Sequence, residues 1–593
     1  MPDTQFGAGS AFDLDRGRLS SWLRANMENV CPLPPRTIGL YNEKGKGIIA
    51  GWEVTPPGSD YSLRILLDDA FPFAHIKIAY VGECRYLQWP HVEENGFLCL
   101  PISGWRPIED LVFSIRERVS HALQLLDDCQ SDEYVKSESA KEFLSYWGRS
   151  APPGARALSL VDLSCGAPRA VSAVKTDKCW LVADDKGTID SWLINQGQTP
   201  PSESLQAVFA SVESPPALPL PGNARQFLSQ IIDQSPQINS LISQLSIFEP
   251  AFLFLAVQSN GSAGLIGARL SPIQENGFQK LKQNGREPHF SARRNRAIWA
   301  CFSQLTLFRV ERADSDWVHG RGLDPTHQIL ANKRLVVLGC GSLGSQVAAR
   351  LSQVGVGHIT IIDPEHLKPS NVGRHFLGME SVERGKAKQL ASTLCAKYPH
   401  GSFHGIGMTY QAVLRESPDI FKDADLVVSC IAEADQDQSW DAWQQSEGLF
   451  ATTVYGWLGT QGSTGHALAL TNDGPGISCF FDPDGFLWNP DTDFQGDTRI
   501  KVEPGCGTEF QPYGPLAAGQ VELLVSRLCL DILTKKVFAP HHRIYACSTN
   551  DLTELGGQWT NRHGHYRPDG YEGPFEYISP VSSCGDCYQC RAQ

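Results

Sequence analysis

"RLVVLGCGSLGSQVAARLSQVGVGHITIID", Arg334 to Asp363, decides how the C-terminal half of this chain folds. It opens on an apolar run of strand length, RLVVL. It then turns on Gly339, Gly341 and Gly344, spaced G-x-G-x-x-G, and continues with apolar residues at helical intervals. A second apolar run, HITII, ends at Asp363. Strand, glycine turn, helix and strand make the βαβ unit of a parallel sheet, the context in which this glycine spacing has meaning. Such glycines let phosphate approach backbone N–H groups at a helix N-terminus. An acid about 20 residues on is placed for ribose hydroxyls. Up to Asp363, a dinucleotide dehydrogenase fits as well as an ATP enzyme.

Working outward, "DADLVVSCIAE" reads as another buried strand and "GPLAAGQVELLVSRLCLDILTKK" as a long helix, so the pattern from 311 onward is α/β. Residues 1–150 read as helix, short strands and helices, with "SAPPGAR" a boundary. Between them, 151–310 carries no motif and reads as a linker and docking domain. There "PSESLQAVFASVESPPALPLPGNA" reads as a surface loop, "ARQFLSQIIDQSPQINSLISQL" as helix until its proline, and "AFLFLAVQSNGSAGLIGARL" as a hairpin. The expected division is 1–150, 151–310 and 311–593, in line with about three to five domains for 593 residues.

Composition narrows the function classes. A hydrophobic content of 41% with 20% charged residues fits a folded soluble protein, and a formal net charge of −14 gives no basic field for nucleic acid. The N-terminus has no signal-peptide core, and no apolar run approaches the roughly 18–20 residues that span a bilayer. A cytoplasmic protein is expected. The 17 cysteines, an odd number and mostly scattered, are not a disulfide framework there.

The residues after Asp363 separate dehydrogenase from ATP enzyme. Ser370-Asn371-Val372-Gly373-Arg374 and Gly385-Lys386-Ala387-Lys388 follow in an order that resembles the ubiquitin-activating enzyme superfamily, which includes ThiF-type bacterial sulfur-carrier adenylyltransferases. The resemblance implies a Rossmann-like adenylation domain that binds ATP through Gly339, Gly341, Gly344, Asp363, Asn371, Arg374 and Lys388. Adenylation builds negative charge on phosphates, which positioned cations stabilise. Arg374 and Lys388 are expected in that role, Lys386 less so. Where the family carries a magnesium-binding aspartate, this chain has Ala432. Glu433, Asp435 and Asp437 are near, and Asp435 is taken as the substitute for binding Mg²⁺. Cys506, in "KVEPGCGTEF" ahead of the long helix, matches the loop whose thiol accepts the acyl group, and Cys547 is its rival. The tail "SSCGDCYQC" gives Cys584, Cys587 and Cys590. With Cys479 they would complete a structural Zn²⁺ site, the alternative being free thiols or a redox pair.

The N-terminal region then resembles ubiquitin-conjugating enzymes. The matches are Phe71-Pro72, Pro90-His91, Asn95-Gly96, Cys99-Leu100, and Trp105 with Pro107. The family's His-Pro-Asn is broken, since Val92 and Glu93 follow His91. His91 is expected to hydrogen-bond its loop rather than act as a base. Together the two halves resemble the fused activating and conjugating enzymes of bacterial CBASS anti-phage operons. That resemblance implies a protein C-terminal carboxylate adenylated with ATP, carried on Cys506 and then Cys99, and passed to an amine, in particular lysine. The carboxylate would belong to a cGAS/DncV-like nucleotidyltransferase or to a ubiquitin-like modifier. A homodimer is implied, with Arg321 reaching across it. A sulfur-carrier adenylyltransferase and a non-enzymatic nucleotide-binding scaffold are the alternatives.

Overall fold

The computed structural model describes the chain apart from residues 1–10, 43–46, 84, 102–105, 246–248, 260–261, 272–302, 322, 449–450, 483–484, 495–500, 503–508, 586, 588–589 and 591–593. It divides into two units, residues 1–184 with 203–312, and residues 185–202 with 313–593.

The first unit begins with a helix, Ala11–Asn26, and a four-stranded antiparallel sheet of Glu28–Pro32, Ile48–Thr55, Ser62–Asp68 and Lys77–Val81. Alternation puts Ala50, Trp52 and Val54, with Leu63, Ile65 and Leu67, on one face. The helix Leu111–Asp128 closes that face through Leu111, Ile115, Val119, Ala122 and Leu126. Asp110 caps it, accepting from the Phe113 N–H at 2.9 Å.

The same unit holds a closed seven-stranded barrel. Its order is Ser262–Leu270, Leu305–Arg312, Arg156–Ser159, Trp180–Ala183, Arg169–Lys175, Leu205–Val212 and Ala251–Ser259. The stretch read as a surface loop is corrected here. Leu205–Val212 is a barrel strand whose Ala207, Val208, Phe209 and Ala210 are buried. Its near-continuous apolar run marks a strand covered on both faces, and the flanking prolines masked it. The helix expected to run until its proline spans Ala224–Gln234 and ends there, and Pro236 opens a second helix, Gln237–Gln244, because proline suits a helix start. Residues 251–259 and 262–270 pair as the expected hairpin.

The second unit is built on an eight-stranded sheet in the order Ser402–Ile406, His358–Ile362, Arg334–Leu338, Leu426–Ser429, Thr452–Leu458, Thr464–Leu470, His541–Ala546 and Phe575–Ser579. The first five strands are parallel and the last three join antiparallel. Chain order reverses between Arg334–Leu338 and Leu426–Ser429, the switch point at which such sheets open a ligand crevice. The helices Ser342–Gln353 and Pro515–Leu533 pack on the sheet through Val347, Leu351, Val521, Val525 and Leu528. No described helix is long and apolar enough to cross a membrane.

Candidate functional site

The glycine turn sits at the switch point. Gly339 takes φ +80°, and a Cβ there would lie 3.0 Å from the Cys430 and Ile431 backbone. Gly344 lets the helix close on the turn, since its Cβ would meet the Gly339 carbonyl oxygen at 2.0 Å. Gly341 faces open space. Asp363, buried at the end of its strand, accepts from the Cys340 N–H at 2.6 Å and the Glu365 N–H at 2.8 Å. It therefore fixes the glycine loop as well as ending its strand. His375 donates from Nε2 to the Cys340 carbonyl at 2.8 Å and accepts at Nδ1 from the Leu377 N–H at 3.0 Å. Burial holds it neutral by pulling its pKa down.

The expected cations differ in setting. The Arg374 guanidinium lies 4.6 Å from the Tyr513 ring centroid, and its Nη1 is 3.4 Å from the Tyr513 carbonyl. Tyr513 also meets Ser342 Oγ at 2.6 Å through its hydroxyl, tying Arg374 to the start of the glycine-loop helix. Sequence reasoning passed over Tyr513, although it stands in "QPYGP" at the head of the long helix. Lys388 is exposed and forms no ion pair among the described residues, while Lys386 is buried on Glu365 at 2.5 Å. A Cβ on Gly407 would be 3.7 Å from Lys388 Cε, which puts the lysine stem beside the strand Ser402–Ile406 at its carboxyl end. Asn371 Oδ1 accepts from the Lys368 N–H at 3.1 Å. Arg321 has φ +54° and lies over Trp317 at 5.8 Å.

A cleft of about 720 Å³ is lined by Ala432, Asp437, Trp457, Thr460, Phe481 and Asp491, among others. Asp437 and Asp491 are both buried there. Ser429 Oγ donates to Asp437 at 2.5 Å. Burial, then Glu433, Asp435 and Asp441, push the Asp437 carboxyl up to about 7. Asp435 is exposed and accepts from Gln436 at 3.1 Å.

The thiols fall into three settings. Cys506 lies outside the described residues, between the paired strands Lys501–Val502 and Glu509–Phe510. Cys547 is buried against Phe494 and Leu552, donates to the Ser548 carbonyl, and is pushed up to about 11 by burial. Cys479, Cys584, Cys587 and Cys590 gather so that their sulfurs all lie within 4.8 Å of one another. Cys479 is 3.5 Å from Cys590 and 3.7 Å from Cys587, and Cys584 is 3.9 Å from Cys590. Four thiolates around zinc at about 2.3 Å would stand roughly 3.8 Å apart, so the donor set fits a tetrahedral ion.

In the first unit, Asn95 and Gly96 both take positive φ, 58° and 77°, as the tight turn of a hairpin demands. A Cβ on Gly96 would lie 2.4 Å from the Tyr80 carbonyl oxygen. The turn pairs Val92 with Leu98 and returns the chain so that the Cys99 N–H donates to the His91 carbonyl at 2.8 Å. Leu98 and Leu100 are buried, while Cys99 is exposed between them. The His91 backbone N–H donates to Tyr146 Oη at 3.1 Å, and the His91 Nε2 is 3.3 Å from Glu138. Partial burial, then Glu142 and Glu93, push the Cys99 thiol up, while Arg149 and Arg118 pull it down.

Residues 321–550 match the ThiF family and residues 30–154 match prokaryotic E2 family B. One chain thus carries an E2-like segment and a ThiF-like segment, each match covering less than half of it. It is 27% identical over 170 residues to the ATP-dependent ubiquitin transferase-like protein Cap2 of Enterobacter hormaechei subsp. hoffmannii, covering 28% of each chain. It is 22% identical over 406 residues to the protein of the same name from Escherichia coli strain TW11681, covering 61% of this chain and 66% of that one. The chain thus spans about a quarter of the first relative and under two thirds of the second. Among solved structures, that of E. coli MccB covers 45% of this chain and 67% of its own, with 14% identity and a TM-score of 0.31.

Proposed function

We propose that this fusion activates a protein's C-terminal carboxylate with ATP and conjugates it to an amine. Cys99 carries the reading: an exposed thiol held by an Asn-Gly turn in the E2-like segment, on the same chain as a ThiF-family glycine-loop site. ATP would lie along Gly339, Gly341 and Gly344, its ribose toward Asp363. The carboxylate attacks the α-phosphorus, and pyrophosphate leaves. Arg374 and Lys388 stabilise the charge that collects on the phosphates, and Asn371 orients them. Asp437 and its neighbouring acids form a crowded anionic wall that Mg²⁺ would relieve, so they are the groups that would hold it. Bound there, magnesium would neutralise phosphate charge. The Cys506 thiolate takes the acyl group from the adenylate, Cys99 takes it by thioester exchange, and an amine, in particular lysine, displaces Cys99. In this reading the acyl donor is a cGAS/DncV-like nucleotidyltransferase, the setting is CBASS anti-phage defence, and the working form is a homodimer. Cys479, Cys584, Cys587 and Cys590 hold a structural zinc.

The test incubates the purified protein with ATP, magnesium and such a nucleotidyltransferase, and resolves the products on gels with and without reductant. A reductant-sensitive adduct is expected. Cys506→Ala should abolish it, and Cys99→Ala should spare pyrophosphate exchange while removing the final conjugate. If neither substitution changes the products, the two-thioester route is wrong. Exchange that proceeds without any protein acceptor would point to a different acyl substrate.

A further inference from the structure

The backbone and the side chain of Arg374 are held by different partners. The backbone is fastened to the glycine-loop helix, Ser342–Gln353, and to the turn before it. Gln346 Nε2 donates to the Arg374 carbonyl at 3.5 Å. The next two residues add His375 Nε2 on the Cys340 carbonyl at 2.8 Å and the Phe376 N–H on Ser345 Oγ at 3.1 Å. The side chain is held by Tyr513. Its guanidinium lies 4.6 Å from the ring centroid, with Nη1 3.4 Å from the Tyr513 carbonyl, and it forms no ion pair among the described residues. A stack engages the face of a guanidinium, whereas its N–H donors lie along the edge. A carboxylate partner would consume those donors. The ring leaves them, apart from the long Nη1 contact, for a phosphate. An arginine left in water must give up its rotamer freedom to bind an anion, and a stacked one has already given up most of it.

Tyr513 is itself braced on two sides. Its hydroxyl meets Ser342 Oγ at 2.6 Å, on the first residue of the glycine-loop helix, where the N-terminus favours phosphate. The turn Thr460–Gly462 lies against its stem. Gly462 takes φ +73°, and a Cβ there would stand 2.7 Å from Ala517 Cβ and 3.3 Å from Tyr513 Cβ. Glycine at 462 thus lets that turn seat against the tyrosine. We propose that Tyr513 is a positioning residue of the nucleotide site, its ring stacking Arg374 beside the N-terminus of the glycine-loop helix with the guanidinium edge free for the phosphates of a nucleoside triphosphate. The proposal rests on the ATP-binding role given to the glycine loop and Arg374 above. Tyr513 acts through Arg374 and transfers no proton.

Isothermal titration of the full chain with ATP and magnesium tests this, with adenosine as the phosphate-free control. Tyr513→Leu should weaken ATP about tenfold or more, since stacking and pre-placement are both lost, and hold adenosine within about twofold. Tyr513→Phe keeps the ring and loses the tie to Ser342, so it should weaken ATP by only about threefold. Arg374→Ala should weaken ATP at least as much as Tyr513→Leu. Adding Tyr513→Leu to it should cost nothing further, because no guanidinium is left to place. If circular dichroism finds the leucine variant unfolded, the cycle is read with Tyr513→Phe, whose smaller loss should likewise vanish in Arg374→Ala. Wild-type ATP affinity in Tyr513→Leu overturns the proposal, as does a Tyr513→Phe loss equal to the leucine's. Additive losses in the double variant, or an equal loss of adenosine, would assign Tyr513 to the fold and overturn it too. Failure of the wild-type chain to bind ATP is a separate result, which removes the nucleotide reading and takes the positioning role with it.

Discussion

A carboxyl enclosed among other carboxyls holds its proton longer than one in water, and Asp437 is in that position at about 7. In the unfolded chain the same group would lose its proton near 3.9. Between those values the folded state binds more protons, so stability falls as pH rises from about 4 to about 7 and then levels off. Asp437→Asn removes that slope. Its melting temperature should gain on wild type between pH 5 and pH 8, and a constant offset across that range would contradict the assignment. At this scale the sequence offers Glu433, Asp435 and Asp437 near Ala432 and favours Asp435; what it does not display is the helix phase, which turns Asp437 inward to Ser429 and leaves Asp435 exposed.

Elements with their own local signal were legible in advance. The glycine turn between two apolar runs, the long apolar helix at Pro515–Leu533 and the hairpin of 251–270 needed only spacing and turn chemistry. Leu205–Val212 did not, because its pairing partners, Arg169–Lys175 and Ala251–Ser259, lie up to tens of residues away and its flanks are rich in proline. Long-range strand pairing leaves little trace in a single sequence. The Cys-x-x-Cys-x-x-Cys tail was legible as thiol donors, and Cys479, named with it as the fourth, stands on a distant short turn, Ile477–Cys479. An ion there would pin the tail to that turn. Protein prepared in zinc-containing medium should carry about one zinc per chain by mass spectrometry. Cys479→Ser should lose it and melt several degrees lower. Metal-free wild-type protein with an unchanged melting point would refute the zinc assignment.

On the scale of the molecule, one chain carries an E2-like and a ThiF-like segment, so the proposed transfer between their thiols would be intramolecular or within the proposed dimer. A tether can supply an effective concentration on the order of millimolar where geometry permits contact. The first unit's barrel meanwhile has a seam with a consequence of its own. Leu270 pairs with Leu305, and just beyond them the Ser271 N–H donates to the Gln304 carbonyl at 3.0 Å. The chain therefore departs and re-enters on adjacent rungs of one ladder, whatever lies between. Replacing residues 272–303 by Asn-Gly should keep the barrel register and shift the melting temperature by only a few degrees, since closure entropy changes slowly with length. A variant that cannot fold would show that the excised residues help fill the core. If the exchange is tolerated, the seam is a permissive port: a place where length can drift, or a reporter domain be spliced in, without the barrel registering the change.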